Sequence, residues 1–152
     1  MRKLGIFLLL MFNLVTYSQK VISIKDNGVI FSKNYNYYLF DNLDRFTPTS
    51  NEINKLEILL NKNIRVINTN KFEPSIHENL NNYNRQYIGF YNEKREKVIY
   101  INFLWRENRN SISKEKWKTE WYDAADGGSY YWNIKYNLSN KTFFDFRVNT
   151  LG

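Results

Sequence analysis

Three tryptophans, Trp105, Trp117 and Trp121, flank a stretch of the chain that is rich in basic residues. The cations of this stretch are Arg106, Arg109, Lys114, Lys116 and Lys118. An exposed indole beside a cation can bind an anionic or carbohydrate ligand through stacking, cation–π contacts and charge-assisted hydrogen bonds. The sequence therefore suggests a binding region made of Trp105, Arg106, Trp117, Lys118 and Trp121.

The alternative is that these tryptophans belong to the core. Residues 117–122 have the composition of a strand, in which Trp117, Thr119 and Trp121 share one face. Buried tryptophans of a helix-covered sheet would give the same pattern, and buried aromatics dominate small cores. Exposure of either indole beside a lysine would support a binding region, and burial of both would remove it.

Residues 123–128, Asp-Ala-Ala-Asp-Gly-Gly, carry two carboxylates in a flexible sequence that could wrap a calcium ion. The spacing lacks the alternating acidic positions of an EF-hand loop, and no bidentate Glu follows at the required distance. The residue types instead favour a turn between strands. Gly127 and Gly128 can adopt positive φ, and the Asp126 side chain can hydrogen-bond its own backbone.

Other chemistry has little support in the sequence. His77 is the only histidine and cysteine is absent, so a tetrahedral zinc site is excluded, and we predict no metal and no cofactor. Because its neighbourhood suggests no catalytic partner, we expect His77 to be a solvated helix residue. Glycoside hydrolysis would need two acids that converge in a pocket, and the candidates are Glu120, Asp123, Asp126 and Asp145.

The chain begins with the pattern of a secretory signal peptide. Arg2 and Lys3 precede an apolar run over residues 4–15, and small residues lie at the positions before a cleavage site after Ser18. Twelve residues make about 18 Å of helix, whereas a hydrocarbon core needs about 30 Å. We therefore predict that residues 1–18 are removed, with no permanent membrane anchor, and that residues 19–152 form one exported domain, periplasmic or extracellular.

Composition limits the partners of this domain. Removing Arg2 and Lys3 from the 22 basic residues leaves 20 against 15 acidic residues, a net charge of about +5. These charges are scattered and not gathered on one face, so we do not expect nucleic-acid binding. The 18% aromatic content argues against disorder, because so many aromatic side chains have apolar area to bury.

One helix stands out in the hydrophobic pattern. Thr49 and Glu52 form a capping box after Pro48, and apolar residues follow at helical spacing. We place this helix at residues 50–62. A second capping pattern, Ser75 with Glu78, opens an Asn-rich segment that predicts a short helix or a turn.

The remaining pattern is that of strands and turns. Residues 21–24 and 34–40 are predicted strands around a turn at 26–28, and residues 87–91 and 98–105 form a hairpin. Strands are further expected at 117–122, 130–137 and 143–148. In the last pair, one face is apolar, with Trp132, Ile134, Tyr136, Phe144, Phe146 and Val148, and the other is polar. The fold class is therefore α+β, one main helix packed on a four- to five-stranded antiparallel meander.

The C-terminal half resembles a family of small exported proteins of Bacteroidetes. The resemblance lies in residues 85–89, in the strand 98–102, in the Asp126-Gly127-Gly128 turn followed by two tyrosines, and in the end of the chain after residue 149. It implies export and a C-terminal sheet module. The family brings no activity with it.

Two functional hypotheses follow. The first is a non-catalytic exported domain that binds another macromolecule, a protein or a glycan of the cell envelope, through its sheet face or edge. The second is a small-ligand or glycan binder that uses the aromatic and basic region between Trp105 and Trp121.

Overall fold

The structure is a computed structural model that describes residues 21–24, 27–68, 73–106 and 115–150. The predicted signal peptide and residues 107–114, which include Arg109 and Lys114, lie outside the described residues. Within the described part, one α-helix and seven strands follow one another along the chain. They are β1 (Val21–Ile24), β2 (Gly28–Phe31), β3 (Arg45–Phe46), α1 (Ser50–Ile67), β4 (Tyr83–Tyr91), β5 (Lys97–Trp105), β6 (Tyr131–Asn137) and β7 (Thr142–Val148).

The strands form one mixed sheet in the order β1-β2-β4-β5-β6-β7, and β3 pairs with the end of β4 beyond β2. All pairs are antiparallel except β2 with β4. A parallel pair needs a crossover, and here the chain between β2 and β4 contains β3 and α1. The α+β class is confirmed. The strand count differs from the predicted four or five: β4 to β7 form an antiparallel meander without the strand that was expected at 117–122, and β1 to β3 extend the sheet.

Helix α1 begins where the sequence predicts. Thr49 Oγ1 accepts a hydrogen bond from Glu52 N at 3.2 Å, and Glu52 Oε2 accepts one from Thr49 N at 2.8 Å. The helix continues five residues past the predicted end at 62, because Ile64 is still buried on the face that packs against the sheet. Tertiary packing extends a helix beyond the point where its Asn-rich sequence would end it.

Both faces of the sheet carry a core. In β5, Ile99, Ile101 and Phe103 point toward α1, while Leu104 belongs to a second buried cluster on the opposite face. That second cluster contains Val29, Phe31, Phe40, Ile88, Leu104, Trp117, Trp121 and Tyr131. Residues 32–44 and 115–130 cover this face, so the expectation of one wet face holds only around Asn133 and Lys135 in β6.

Two predicted strands are wrong. Residues 34–40 form a turn and a 3-10 helix (Tyr38–Phe40), and the strand that pairs with β1 is β2 instead. Residues 117–122 contain a 3-10 helix (Lys116–Lys118) followed by irregular chain. Both segments are rich in aromatic residues because they cover the second sheet face, and burial, not pairing, accounts for their composition.

Strand β7 departs from simple alternation. The register shifts between Asn133 and Lys135, and Asp145 has a φ of 54°. This bulge brings Phe143 against the first core and leaves Phe144 41% exposed. Phe144 was predicted on the apolar face, and the extra residue of the bulge is the physical reason that it is not.

Candidate functional site

Gln86 holds the irregular segment 117–122 on the second face of the sheet. Its side chain is completely buried, and Nε2 donates hydrogen bonds of 2.7 Å to Trp117 O and to Glu120 O. Its Oε1 accepts from Tyr122 N at 3.0 Å and from Asn102 Nδ2 at 3.1 Å. A buried amide that uses both ends fixes the position of an otherwise irregular backbone.

The tryptophans of the predicted binding region lie in the core. Trp117 and Trp121 are each 7% exposed and pack in the second cluster. Trp105 is half-buried and meets the rings of Tyr83 and Tyr130 edge to face, at centroid distances of 5.0 and 5.6 Å. The expected exposed stacking surface at Trp117 or Trp121 is therefore wrong, and the core alternative holds.

The two basic residues of that predicted region do not meet at one ligand position. Arg106 is exposed at the end of β5, and its backbone N donates to Asn82 O at 3.0 Å. Lys118 forms an ion pair with Glu115 at 2.8 Å, and its Nζ lies 5.8 Å from the ring centroid of Trp117. Sequence proximity grouped these residues, whereas the fold places Trp105 and Trp117 in different clusters.

The second face carries an open cleft of about 260 Å³. It lies between residues 39–43, strands β5 and β6, and residues 121–124. Tyr100 pairs with Lys135 across the two strands, and Asn102 pairs with Asn133, so these four side chains form the floor. A concave site with a few convergent polar groups is the usual form of a binding site.

One wall of the cleft is aromatic. The ring of Trp121 lies 5.1 Å from that of Phe40 and 5.7 Å from that of Tyr100, measured between centroids. Burial raises the pKa of Tyr100 to about 12, and the nearby charge of Asp123 adds to this effect. The Tyr100 hydroxyl therefore stays protonated at neutral pH and can donate a hydrogen bond into the cleft.

The rim above this wall is apolar and exposed. Tyr38 is 67% exposed, Leu39 48% and Leu43 37%. Leu39 and Leu43 line the cleft, and Tyr38 Oη lies 3.4 Å from Asp123 Oδ2. Three neighbouring apolar side chains exposed beside a cleft are typical of a contact surface.

Charges at the other end of the cleft are paired. Lys135 Nζ lies 2.6 Å from Asp145 Oδ2, and Arg147 Nε lies 2.7 Å from Asp145 Oδ1. The hydrogen bond from Lys135 lowers the pKa of Asp145, burial opposes it, and Arg147 adds to the lowering. A lowered pKa is the opposite of what a general acid needs. Of the four acids considered for glycoside hydrolysis, Asp123 alone lines the cleft.

The chain turns at Asp126, Gly127 and Gly128, although not between two strands as predicted, because residues 117–122 are not a strand. Gly127 has a φ of 100° and Gly128 of 55°, as the turn interpretation expects. A Cβ on Gly127 would lie 2.6 Å from the Tyr131 ring, so close approach adds a second reason for glycine. Asn149 Nδ2 donates to the carbonyl oxygens of Ala124 and Asp126, which ties the turn to the end of β7 beside the cleft.

His77 is half-buried and not simply solvated. Its Nδ1 lies 3.3 Å from Ser75 Oγ, and its Nε2 lies 3.9 Å from Glu78 Oε1. The expectation that it lacks such neighbours is wrong. The contacts are local to one turn, and 3.9 Å is too long for a hydrogen bond, so they do not form a nucleophile–base–acid relay.

Another hollow, of about 200 Å³, lies between α1 and the start of β4. Its charged residues form an ion pair, with Arg85 Nε 3.1 Å from Glu57 Oε2. Tyr87 Oη also donates a hydrogen bond of 2.8 Å to Glu57 Oε1. Arg85 also donates to the carbonyl oxygens of Tyr83 and Leu80. This cluster joins the helix to the sheet and is structural.

Comparison of the chain with known protein families, with curated proteins and with solved structures gives no match. The resemblance to exported Bacteroidetes proteins stays a prediction. Among the described residues, no group of three or more histidine, cysteine or acidic side chains is placed to hold a metal ion. None of the helices in that part of the chain has the length and apolar character needed to span a membrane.

Proposed function

We propose that this protein is an exported, non-catalytic domain that binds a polypeptide partner through the second face of its sheet. The binding surface is the cleft on β5 and β6 together with its exposed rim at Tyr38, Leu39 and Leu43. The observation that carries the proposal is this apolar rim beside a floor of amide and hydroxyl groups.

The side chains of the floor suit a polypeptide. Asn133 forms no side-chain hydrogen bond to another described residue, and its amide can both donate and accept. Tyr100 offers a hydroxyl at the same place. Main-chain groups of an extended segment can bond to these side chains, while its apolar side chains contact Leu39 and Leu43.

The β7 edge of the sheet is a less favourable surface than the face. Strand β7 is bulged at Asp145 and carries Arg147 beside it, and bulges and charges at an edge oppose pairing with another strand. The glycan alternative rests on exposed indoles at Trp117 or Trp121, and their burial leaves it without support. We therefore place the partner on the face.

A photocrosslinking amino acid at position 39, introduced in the native host, tests the proposal. The expected result is a discrete adduct of higher mass in the envelope or extracellular fraction. The matched control is the same amino acid at Val66, which is 77% exposed on α1 and remote from the cleft. Adducts from both positions, or from neither, would contradict a specific partner at the cleft.

Export is tested separately by the intact mass of the protein recovered from outside the cytoplasm. Cleavage after Ser18 gives a chain that starts at Gln19. Recovery of the full-length chain in a membrane pellet would contradict this part of the proposal.

A further inference from the structure

Among the residues that the structure describes, the cleft has one carboxylate that no cation neutralises. Asp123 is exposed at the cleft wall, and among the described residues it forms no ion pair. Its polar side-chain contact there is the Tyr38 hydroxyl at 3.4 Å, which is a long hydrogen bond. The carboxylate is therefore free to bind a positively charged group.

The cation that lines the same cleft does not serve Asp123. Lys135 is bound to Asp145 at 2.6 Å, and Asp145 also holds Arg147. Lys135 and Arg147 share this one carboxylate, so the three side chains together carry a net charge of +1. Asp145 lies 2.6 Å from Lys135 Nζ and partly offsets its charge, so a second cation at Asp123 is repelled less than it would be by an unpaired lysine.

The aromatic wall also favours a cation. Phe40, Tyr100 and Trp121 lie next to one another along the cleft, and the protein's own cations already approach two of these rings. Arg45 lies 5.7 Å from the Phe40 centroid, and Lys135 Nζ lies 6.0 Å from that of Tyr100. The negative face of an aromatic ring attracts a cation at this distance.

We propose that the cleft receives a basic side chain, Lys or Arg, of the polypeptide partner. Its aliphatic stem lies against Leu39 and Leu43, and its charged end lies at Asp123 beside the ring of Tyr100. Long basic side chains combine an apolar stem with a charged end, which matches a cleft with an apolar rim and a free carboxylate. This inference rests on the proposed function, because it names the chemistry of the same partner.

Selection from a displayed library of random dodecapeptides on the purified exported protein tests the inference. Enriched peptides are expected to share a Lys or Arg, and one of them is synthesised with a fluorophore for anisotropy titration. Asp123→Asn is expected to weaken its binding about tenfold, which corresponds to about 1.4 kcal/mol. The matched control is Asp126→Asn, an exposed carboxylate of the adjoining turn that does not line the cleft, and it should leave binding unchanged.

A second peptide completes a double-mutant cycle between Asp123 and the basic residue of the peptide. Replacing its basic residue by norleucine should weaken binding to the wild type by the same factor and leave no further loss on Asp123→Asn. Equal losses with both aspartate variants, or tight binding of the norleucine peptide, would overturn the inference. Circular dichroism of each variant controls for folding.

Three further outcomes separate the two proposals. Peptides without a basic residue that lose binding on Leu39→Asp would reject the basic side chain and keep the proposed function. Absence of any peptide that prefers the wild type to Leu39→Asp would reject both. Displacement of the peptide by Nα-acetyl-lysine N-methylamide, which keeps its ε-ammonium group, at similar concentration would show a small-amine site and would overturn docking of a polypeptide.

Discussion

At the scale of single residues, the Gln86 side chain binds the irregular segment 117–122 to the sheet. Gln86→Leu keeps a similar volume but leaves Trp117 O, Glu120 O and Tyr122 N without their partner. A buried group left unpaired costs about 1–3 kcal/mol, and the bonds to Glu120 O and Tyr122 N are only part-buried, so we expect a loss of about 3 kcal/mol in the free energy of unfolding. Urea denaturation measures it.

The control for this substitution lies two residues away. Asn84 is half-buried on the same strand and the same sheet face, and Asn84→Leu should change the free energy of unfolding by less than about 0.5 kcal/mol. Equal losses in both variants would mean that any amide-to-leucine change in β4 is costly, and that the bonds of Gln86 are not the cause.

Asp145 gives the molecule a pH-dependent contact. Its folded-state pKa is lowered by Lys135 and Arg147, so the contact stabilises fully above the unfolded-state pKa of about 3.9 and is lost as the pH falls through the lower folded-state value. Asp145→Asn keeps a residue type that tolerates positive φ and removes the charge. We expect it to lose about 1 kcal/mol at pH 7.

The difference between the wild type and Asp145→Asn should shrink as the pH is lowered below about 4, since the wild-type carboxylate then becomes protonated. Urea midpoints at pH 7, 5, 4 and 3 measure this. A difference that stays constant over the whole range would show that the variant acts through the bulge geometry and not through the ion pairs.

At the scale of elements, the features that depend on neighbouring residues could be predicted from the sequence, and those that depend on distant residues could not. The capping box of α1 and the hairpin of β4 and β5 depend on neighbouring residues, so their sequence suffices. The parallel pairing of β2 with β4 joins residues more than fifty positions apart. Residues 117–122 have an aromatic pattern typical of a strand, and their irregular path depends on hydrogen bonds to the distant side chains of Gln86, Asn102 and Tyr35.

The capping box of α1 gives the first prediction at this scale. Thr49→Ala removes the side-chain acceptor for Glu52 N and breaks the reciprocal pair of hydrogen bonds. We expect a loss of about 1 kcal/mol in the free energy of unfolding, measured by thermal or urea denaturation. Ser50→Ala, one residue into the helix and exposed, should have a much smaller effect. A similar loss in both variants would point to helix propensity and not to capping.

The bulge of β7 determines which of two adjacent phenylalanines faces the core. Phe143 meets the ring of Tyr136 at 4.7 Å on the core side, whereas Phe144 is exposed. We expect Phe143→Ala to cost about 2 kcal/mol of stability, because the ring is only partly buried. Phe144→Ala should cost less than about 0.5 kcal/mol. The reverse order in urea denaturation would show regular alternation without the bulge.

At the scale of the whole molecule, the site could be predicted only in part. Trp121 was among the predicted binding residues, and it does line the cleft. It does so as a buried residue of the second core and not as an exposed stacking surface. Tyr100 and Asn133 have no distinguishing signal, since each is one polar position in an alternating strand. Their meeting depends on the register of β5 with β6, which sequence spacing does not determine.

The two cores share the same strands, and this couples their stability. In β5, Ile101 and Phe103 face the helix while Leu104 belongs to the second cluster. Loss of either layer therefore exposes one face of the strands that support the other layer. Gln86 and Asn102 bind the second cover directly to these strands. We therefore expect both cores to unfold in one cooperative transition.

Tryptophan pairs can report on each core. In Trp117→Phe/Trp121→Phe, the remaining buried reporter is Trp132 of the first core, and in Trp105→Phe/Trp132→Phe the reporters belong to the second. Within each variant, the urea midpoint from fluorescence should equal that from far-ultraviolet circular dichroism, because unfolding of the same strands changes both signals. A lower fluorescence midpoint confined to the second-core reporters would show that residues 115–130 detach before the sheet unfolds. The cleft would then open independently of the sheet, and partner binding would have to order it first.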